Sequence, residues 1–365
     1  MTLRFVHEGR PGRVVFGIGA ADRLADEIER AGLRRLLVVC TPPQADLARR
    51  LAEPVGEWVV GLHPHAEMHV PVATAEKAVE RATELSADGC LAVGGGSAVG
   101  LAKAVAKETG LPIVAVPTTY AGSEMTSVWG LTDRGGKTTG RDARVLPALV
   151  IYDPALTVTL PVAVAVTSGF NALAHAAEAL YAPDASPITS LIARESVRAL
   201  VAALPRVAAD PHDVDSRAEA LYGAWLAGSV LGSTTMSLHH KLCHVLGGTF
   251  DLGHAEVHTA VLPHVLAANL PAAAPARTAL QEALGVEDPA AHLFDTARRL
   301  GADMALERLG MPMDGVDVVV ERVLAAPYAN PVPVTGVLLR HLLGNALTGA
   351  VPSPPPDRRS DAQTP

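Results

Sequence analysis

The chain has 365 residues, 49% hydrophobic and 19% charged, which excludes intrinsic disorder for its bulk and leaves room for about two domains. Thirty lysines and arginines against 38 aspartates and glutamates give a formal charge of −8, with no basic block; nucleic acid and an anionic membrane surface are therefore not expected as partners. Cys40, Cys90 and Cys243 are widely spaced and form no CxxC pair, which excludes a disulfide scaffold and a thiolate zinc site and fits a reducing compartment.

The N-terminal MTLRFVHEGRPGR carries charges where a signal peptide needs an apolar core, so a cytoplasmic protein is expected. Arg13–Phe16 is a short β-branched run, and Ala21–Ala31 has helical spacing. Leu33–Cys40 is an apolar strand ending at Thr41-Pro42-Pro43. Ala45–Leu51 reads as helix, Glu57–Leu62 as strand and Ala73–Leu85 as helix. Cys90–Val93 is a strand running into glycine, Ser97–Lys107 a helix, and Leu111–Val116 a buried strand. Continuous apolar strands alternating with amphipathic helices predict an α/β, doubly wound, Rossmann-like parallel sheet over residues 1–155.

Beyond Tyr152-Asp153-Pro154 helical patterns take over: Phe170–Tyr181, Ile188–Leu204, Ser216–Leu231, Thr235–Leu246, His258–Asn269 and Thr278–Leu284. An all-α substrate and catalytic domain is expected over 156–350, and a disordered tail over 351–365. The uncharged stretches Pro154–Ala177 and Ala220–Leu238 are broken by proline, glycine and serine, so they read as buried helices and loops, not membrane spans.

Two turns look chemical. Gly94-Gly95-Gly96-Ser97 follows a buried strand and opens a helix, so the backbone can approach a phosphate at a helix N-terminus. It is neither GxGxxG nor a Walker sequence. Pro117–Thr126, PTTYAGSEMT, ends the next strand with hydroxyls. Together they predict a dinucleotide site at the carboxyl edge of the sheet, with Gly95, Gly96, Ser97, Thr118, Thr119 and Ser123 as its residues.

Six of the 14 histidines, His239, His240, His244, His254, His258 and His264, fall within 26 residues. His240 and His244 share a helix face, and Asn171 and His175 have the same spacing upstream. His239 lies about 100° around the helix from His240 and is expected outside that face. HAEVH is not HExxH, and the HxE it contains lacks the PCxxC of a zinc deaminase.

These segments identify a family. GGGSAVGLAKAVA, PTTYAGSEMT, FNALAHAAEALY and HHKLCHVLGGTFDLGHAEVHTAVLPH resemble the iron-containing alcohol dehydrogenase superfamily over about residues 5–350, whose fold is shared with dehydroquinate synthase. YAGSEMTSVWGLTD, GRDARVLPALVIYDP and PYANPVPVT resemble its maleylacetate reductase branch. By position the superfamily's metal ligands, one aspartate and three histidines, fall on Asn171, His175, His240 and His254. A neutral amide in place of the aspartate lowers affinity for a dication, and the branch is understood to work without metal. The expectation is therefore that no metal is required, with His175, His240 and His254 as the alternative ligand set. Thr41 stands where NAD-specific relatives carry an aspartate for the ribose, so both NADH and NADPH are expected.

The resemblance implies reduction of the conjugated C=C of maleylacetate to 3-oxoadipate, in aerobic breakdown of aromatic and chloroaromatic compounds, by a homodimer acting on a small dicarboxylate. Hydride addition β to the ketone leaves an enolate that needs donors and a proton. His240, His244 and His254, with His175 beside them, are the candidate catalytic residues. Arg141, Lys241 and Asn171 are candidate substrate contacts. The alternatives are a metal-dependent alcohol dehydrogenase reducing an aldehyde, a lyase of the dehydroquinate synthase type, and a non-catalytic nucleotide-binding protein.

Overall fold

The computed structural model describes residue 5 and residues 12–133, 136–326 and 328–355. Its strands are β1 (Arg13–Phe16), β2 (Leu36–Val39), β3 (Val59–His63), β4 (Gly89–Gly94), β5 (Ile113–Pro117), β6 (Val128–Asp133), β7 (Gly136–Arg141) and β8 (Leu149–Tyr152). Six form one parallel sheet in the order β1-β8-β5-β4-β2-β3, and β6 and β7 pair as a separate antiparallel hairpin. Every residue of β2, β4, β5 and β8 is buried, as strands covered by helices on both faces require. The helices of this half are α1 (Leu24–Arg30), α2 (Ala45–Ala52), α3 (Val72–Glu84) and α4 (Gly96–Thr109). From β2 the chain runs outward to β3 and then returns to β4, so the strand order reverses between the carboxyl ends of β2 and β4, where such sheets bind ligands.

The second half is helical: α5 (Val162–Ala179), α6 (Pro187–Ala209), α7 (Val214–Ser233), α8 (Leu238–Phe250), α9 (His254–Asn269), α10 (Ala274–Leu284), α11 (Pro289–Arg299), α12 (Val316–Leu324) and α13 (Gly336–Thr348). Alanines fill much of α5, which is buried from Ala165 to Ala179 and packs against α6, α7 and α9. No helix among the described residues is long and apolar enough to cross a membrane.

This is the expected doubly wound sheet followed by helices, with differences of detail. β8 is only four residues long, and β6–β7 is half-exposed with weak alternation; neither stands out in the sequence. Helices α11 to α13 were also missed. α9 starts at His254, not at His258, because Gly253 precedes it outside helical geometry. Of the tail expected to be disordered, residues 356–365 lie outside the described residues. Residues 351–355 are coil, with the Ser353 hydroxyl and carbonyl oxygens 3.1 and 3.2 Å from His341 Nε2.

The two halves meet where Gly122, at φ 76° after β5, crosses α7 at Gly228. A Cβ on Gly228 would lie 2.6 Å from the Gly122 carbonyl oxygen and 2.9 Å from its Cα. Backbone cannot yield there as a flexible side chain could, so Gly228→Ala is expected to cost about 1–3 kcal/mol. The check is a melting temperature several degrees below that of the unaltered chain.

Candidate active site

At the strand-order reversal, Thr41 leaves β2, Gly94 ends β4 and Thr118 leaves β5. The side chain of Gln44 joins all three. It accepts from the Thr41 hydroxyl at 3.3 Å, donates to Thr118 Oγ1 at 2.6 Å, and occupies the space a Cβ on Gly94 would need. Gly95 is equally constrained, since its Cβ would lie 2.8 Å from both Thr119 Oγ1 and Cγ2. Gly96 and Ser97 open α4, leaving its first N–H groups for an anion. Ser123 belongs to the turn after Gly122. Gln44 was missed, because a lone glutamine after two prolines carries no signal of its own.

The loop after β5 passes from this crevice to the histidines. The Ala121 carbonyl accepts from Asn171 Nδ2 at 3.4 Å and lies 3.3 Å from His175 Nε2. His175 Nδ1 is 2.7 Å from His240 Nε2, and His240 Nδ1 is 2.6 Å from Glu178 Oε2. Glu178, fully buried on α5, also accepts from the backbone N–H groups of Ser237, His239 and His240 at 3.0, 2.8 and 3.4 Å. It thereby caps the N-terminus of α8 and orients its first histidines. Two neutral imidazoles bring two protons to the three gaps between Glu178 and Ala121. With a third proton every gap becomes a hydrogen bond; with two, one of the three has none. Burial pushes the Glu178 carboxyl upward, against the charge of His239 and its three N–H donors, which favours a proton on this row.

The remaining histidines form two layers. His239, His240 and His258 are buried, with one ring nitrogen from each within 4.8 Å of the others. His254 is half-buried and His244 exposed; their rings stack at 6.2 Å, and His254 sits 4.2 Å from the His258 ring. Thus His175 and His240 touch directly, while His244 and His254 line the approach above them. His239 departs from its expected place outside the face: its ring is 5.3 Å from that of His240, and its Nε2 bonds the His258 carbonyl oxygen at 3.0 Å. The α8 helix is covered on more than one side, so 100° of rotation does not carry a side chain into solvent. Burial holds His239 down to about 4 and His240 to about 3, and lowers His175 and His258 strongly. These four imidazoles are neutral at pH 7.

Of the candidate substrate contacts, Asn171 stands beside His175. Arg141 reaches the Gly232 and Thr234 carbonyl oxygens at 3.4 and 3.3 Å. The Lys241 ammonium lies 6.0 Å from the Tyr328 ring. Glu178 was missed, although it follows His175 by three residues on a shared helix face, and His258, counted in the histidine cluster and four residues after His254, was not among the candidate catalytic residues.

Residues 11–154 match the family model described as iron-containing alcohol dehydrogenase, and residues 165–347 the one described as the C-terminal part of the Fe-containing alcohol dehydrogenase family. A maleylacetate reductase of Sphingobium indicum is 53% identical over 96% of this chain and 99% of its own length, and one of Burkholderia cepacia is 51% identical over the same shares. The crystal structure of maleylacetate reductase from Agrobacterium tumefaciens, 47% identical, superposes with a TM-score of 0.93 over 96% of this chain and all of that one.

The match of both halves to an iron-containing family overturns the expectation that no metal is required. That expectation rested on the Asn171 amide and on the resemblance to a branch understood to work without metal, and the amide does not dismantle a site built from imidazoles. His239 Nδ1, both ring nitrogens of His258 and Asn171 Oδ1 are buried without hydrogen-bond partners. Neutral, unpartnered nitrogens suit a divalent ion. His239, His240 and His258, whose ring nitrogens lie within 4.8 Å of one another, would hold it once His240 gave up one of its present contacts, a set that shares only His240 with the positional one.

Two predictions follow from burial. In Glu178→Gln, whichever oxygen becomes an amide faces a backbone N–H, of His239 or of Ser237. Stability should fall by about 1–3 kcal/mol, and kcat at least tenfold, with NADH affinity by fluorescence titration unchanged. His264, 6.1 Å from the Phe294 ring and with both ring nitrogens unpartnered, is held by burial at about 4. An unfolded histidine titrates near ~6.5, so as pH falls the unfolded chain takes up a proton that the folded one refuses. His264 therefore contributes stability above pH ~6.5 that is lost by about pH 4. The melting temperature should drop across that window, and less steeply in His264→Leu.

Proposed function

The chain belongs to the iron-containing alcohol dehydrogenase family, and from that premise we propose that it reduces maleylacetate to 3-oxoadipate with NADH or NADPH. It is an NAD(P)H-dependent oxidoreductase, and relatives about half-identical along nearly their whole length bear the name of that reaction. The observation that carries the reading is the Ala121 carbonyl. The loop that follows the dinucleotide crevice touches His175 and Asn171 directly, so the hydride source and the donor cluster share one wall.

In this reading Gly95, Gly96 and Ser97 bind the pyrophosphate, and Thr118, Thr119 and Ser123 line the adjoining turn. Thr41 faces the adenosine ribose, where the absence of a carboxylate admits a 2′-phosphate. Hydride leaves the nicotinamide for the alkene carbon β to the ketone, and the electron pair of the C=C moves onto the ketone oxygen as an enolate. His175 Nε2, at the Ala121 end of the row, is the ring nitrogen that can donate toward that oxygen, and Glu178, acting through His240, sets the tautomer of His175. The α-carbon then takes a proton from His254 or from His244, which alone among these rings is exposed to water. Iron held by His239, His240 and His258 would supply a Lewis acid able to polarise a ketone oxygen. Asn171, which shares the Ala121 carbonyl with His175, and Lys241, next to His240 in the chain, are the proposed partners of the substrate carboxylates, and Arg141 stands at the junction of the two halves. The protein acts in the cytoplasm as a homodimer, in the degradation of aromatic and chloroaromatic compounds, without nucleic acid or membrane as partners.

The test is NADH oxidation with maleylacetate, followed by identification of 3-oxoadipate in one-to-one yield. Reduction of simple aldehydes without turnover of maleylacetate would establish the alcohol dehydrogenase alternative instead. NADH and NADPH should differ by no more than about tenfold in kcat/KM, about 1.4 kcal/mol. Thr41→Asp should move that ratio toward NADH by repelling the 2′-phosphate; an unmoved ratio places the ribose elsewhere.

A further inference from the structure

Lys103 lies on α4, two turns beyond Gly96, and is 1% exposed. A buried ammonium is strongly unfavourable unless its protons are all bonded. Here Nζ donates to the Ser123 carbonyl oxygen at 2.7 Å, to Thr126 Oγ1 at 2.8 Å and to the Val128 carbonyl oxygen at 2.8 Å. Three donors meet three acceptors, all from the one segment that follows the dinucleotide loop. The Ser123 carbonyl accepts as well from the Thr126 N–H and hydroxyl at 3.2 and 3.1 Å, so an apolar residue at 103 would not empty that carbonyl but would remove the one group that ties Ser123, Thr126 and Val128 to α4.

The same segment is gripped elsewhere. The buried Glu124 carboxyl accepts from the Tyr152 hydroxyl at 2.7 Å. Gly122 abuts Gly228 on α7, and the Ala121 carbonyl meets Asn171 and His175 on α5. Lys103 is the grip from the dinucleotide side. Its helix begins at the proposed phosphate turn, and its ammonium sets where the chain stands two residues past the carbonyl that meets His175.

Resting on the reading that the crevice takes NAD(P)H, we propose that Lys103 is a positioning residue for hydride transfer. It fixes the segment 121–128 and so sets the nicotinamide and the histidine row at reacting distance. A displacement of about 1 Å at a reacting pair costs roughly 10²-fold in rate, whereas a residue that only fills space changes stability and leaves the reacting distance alone.

The full-length protein is assayed as Lys103→Met, Thr126→Val, Thr126→Ser and Lys107→Met. The last removes an ammonium one turn further along α4 that lies over the Trp129 ring at 4.9 Å. Readouts are the NADH dissociation constant by fluorescence, kcat with maleylacetate, and the deuterium isotope effect on kcat with NADH labelled at the transferred C4 position. Lys103→Met should lower kcat about 10²-fold and raise the isotope effect, because hydride transfer becomes the slow step. Thr126→Val should show the same changes at about a tenth of that size, Thr126→Ser should restore the rate, and Lys107→Met should match the unaltered chain. If Lys103→Met does not fold, the Thr126 pair decides. Folded Lys103→Met and Thr126→Val proteins with unaltered kcat and isotope effect would reduce Lys103 to packing and overturn the proposal. An unaltered chain that binds no NADH overturns the underlying functional reading, and this proposal with it.

Discussion

The buried carboxylate of Glu178 is the interaction on which the helical half of the site depends. It takes three backbone N–H groups at the start of α8 and the Nδ1 side of His240, so one side chain both caps a helix and orients a ring. An unpaired carboxylate at that depth would be intolerable, and helix N–H groups without acceptors nearly so. Each makes the other admissible. From this anchor the row continues through His240 and His175 to the Ala121 carbonyl, and thus out of the helical half into the loop of the nucleotide crevice.

Burial sets the chemistry of that row more than charge does. Desolvation is the first cause of lowered proton affinity in His175, His239, His240 and His258. The floor of the site is therefore a bed of neutral imidazoles, able to donate a hydrogen bond or to offer a lone pair to a cation. Along one helix turn the chain passes from buried His240 to exposed His244, so one face of α8 offers both a ring shielded from water and one in contact with it. This arrangement accommodates both the iron of the family and enolate chemistry, because each calls for unprotonated ring nitrogens out of solvent.

Close approach is the second requirement. The halves meet at a glycine-on-glycine crossing, Gly122 against Gly228, and α5 is sheathed in alanine where it meets α6, α7 and α9. Small residues let the loop after β5 lie close to α7 while its carbonyl reaches α5. At the crevice, Gly94 and Gly95 make way for Gln44 and Thr119. In both places the absence of side chains positions the polar groups.

Much was legible in the sequence because its causes are local. Four-residue runs of buried apolar residues mark β2, β4 and β5, and the glycine turn marks the start of α4. The alternation of strand and helix determines the parallel sheet and hence the edge at which a dinucleotide binds. The histidine-rich stretch and the Asn171–His175 spacing determine that a donor cluster exists. The tertiary structure decided which donors meet. His239 and His258 belong to the cluster because α9 packs on α8, and Glu178 matters because α5 delivers it to the N-terminus of α8. Gln44 and Lys103 matter because of neighbours 74 and 20 or more residues away. Periodicity reports which face of a helix is apolar, but it carries no record of which other helix covers that face. Burial by a distant element made these histidines neutral and turned a glutamate, a glutamine and a lysine into parts of the candidate site.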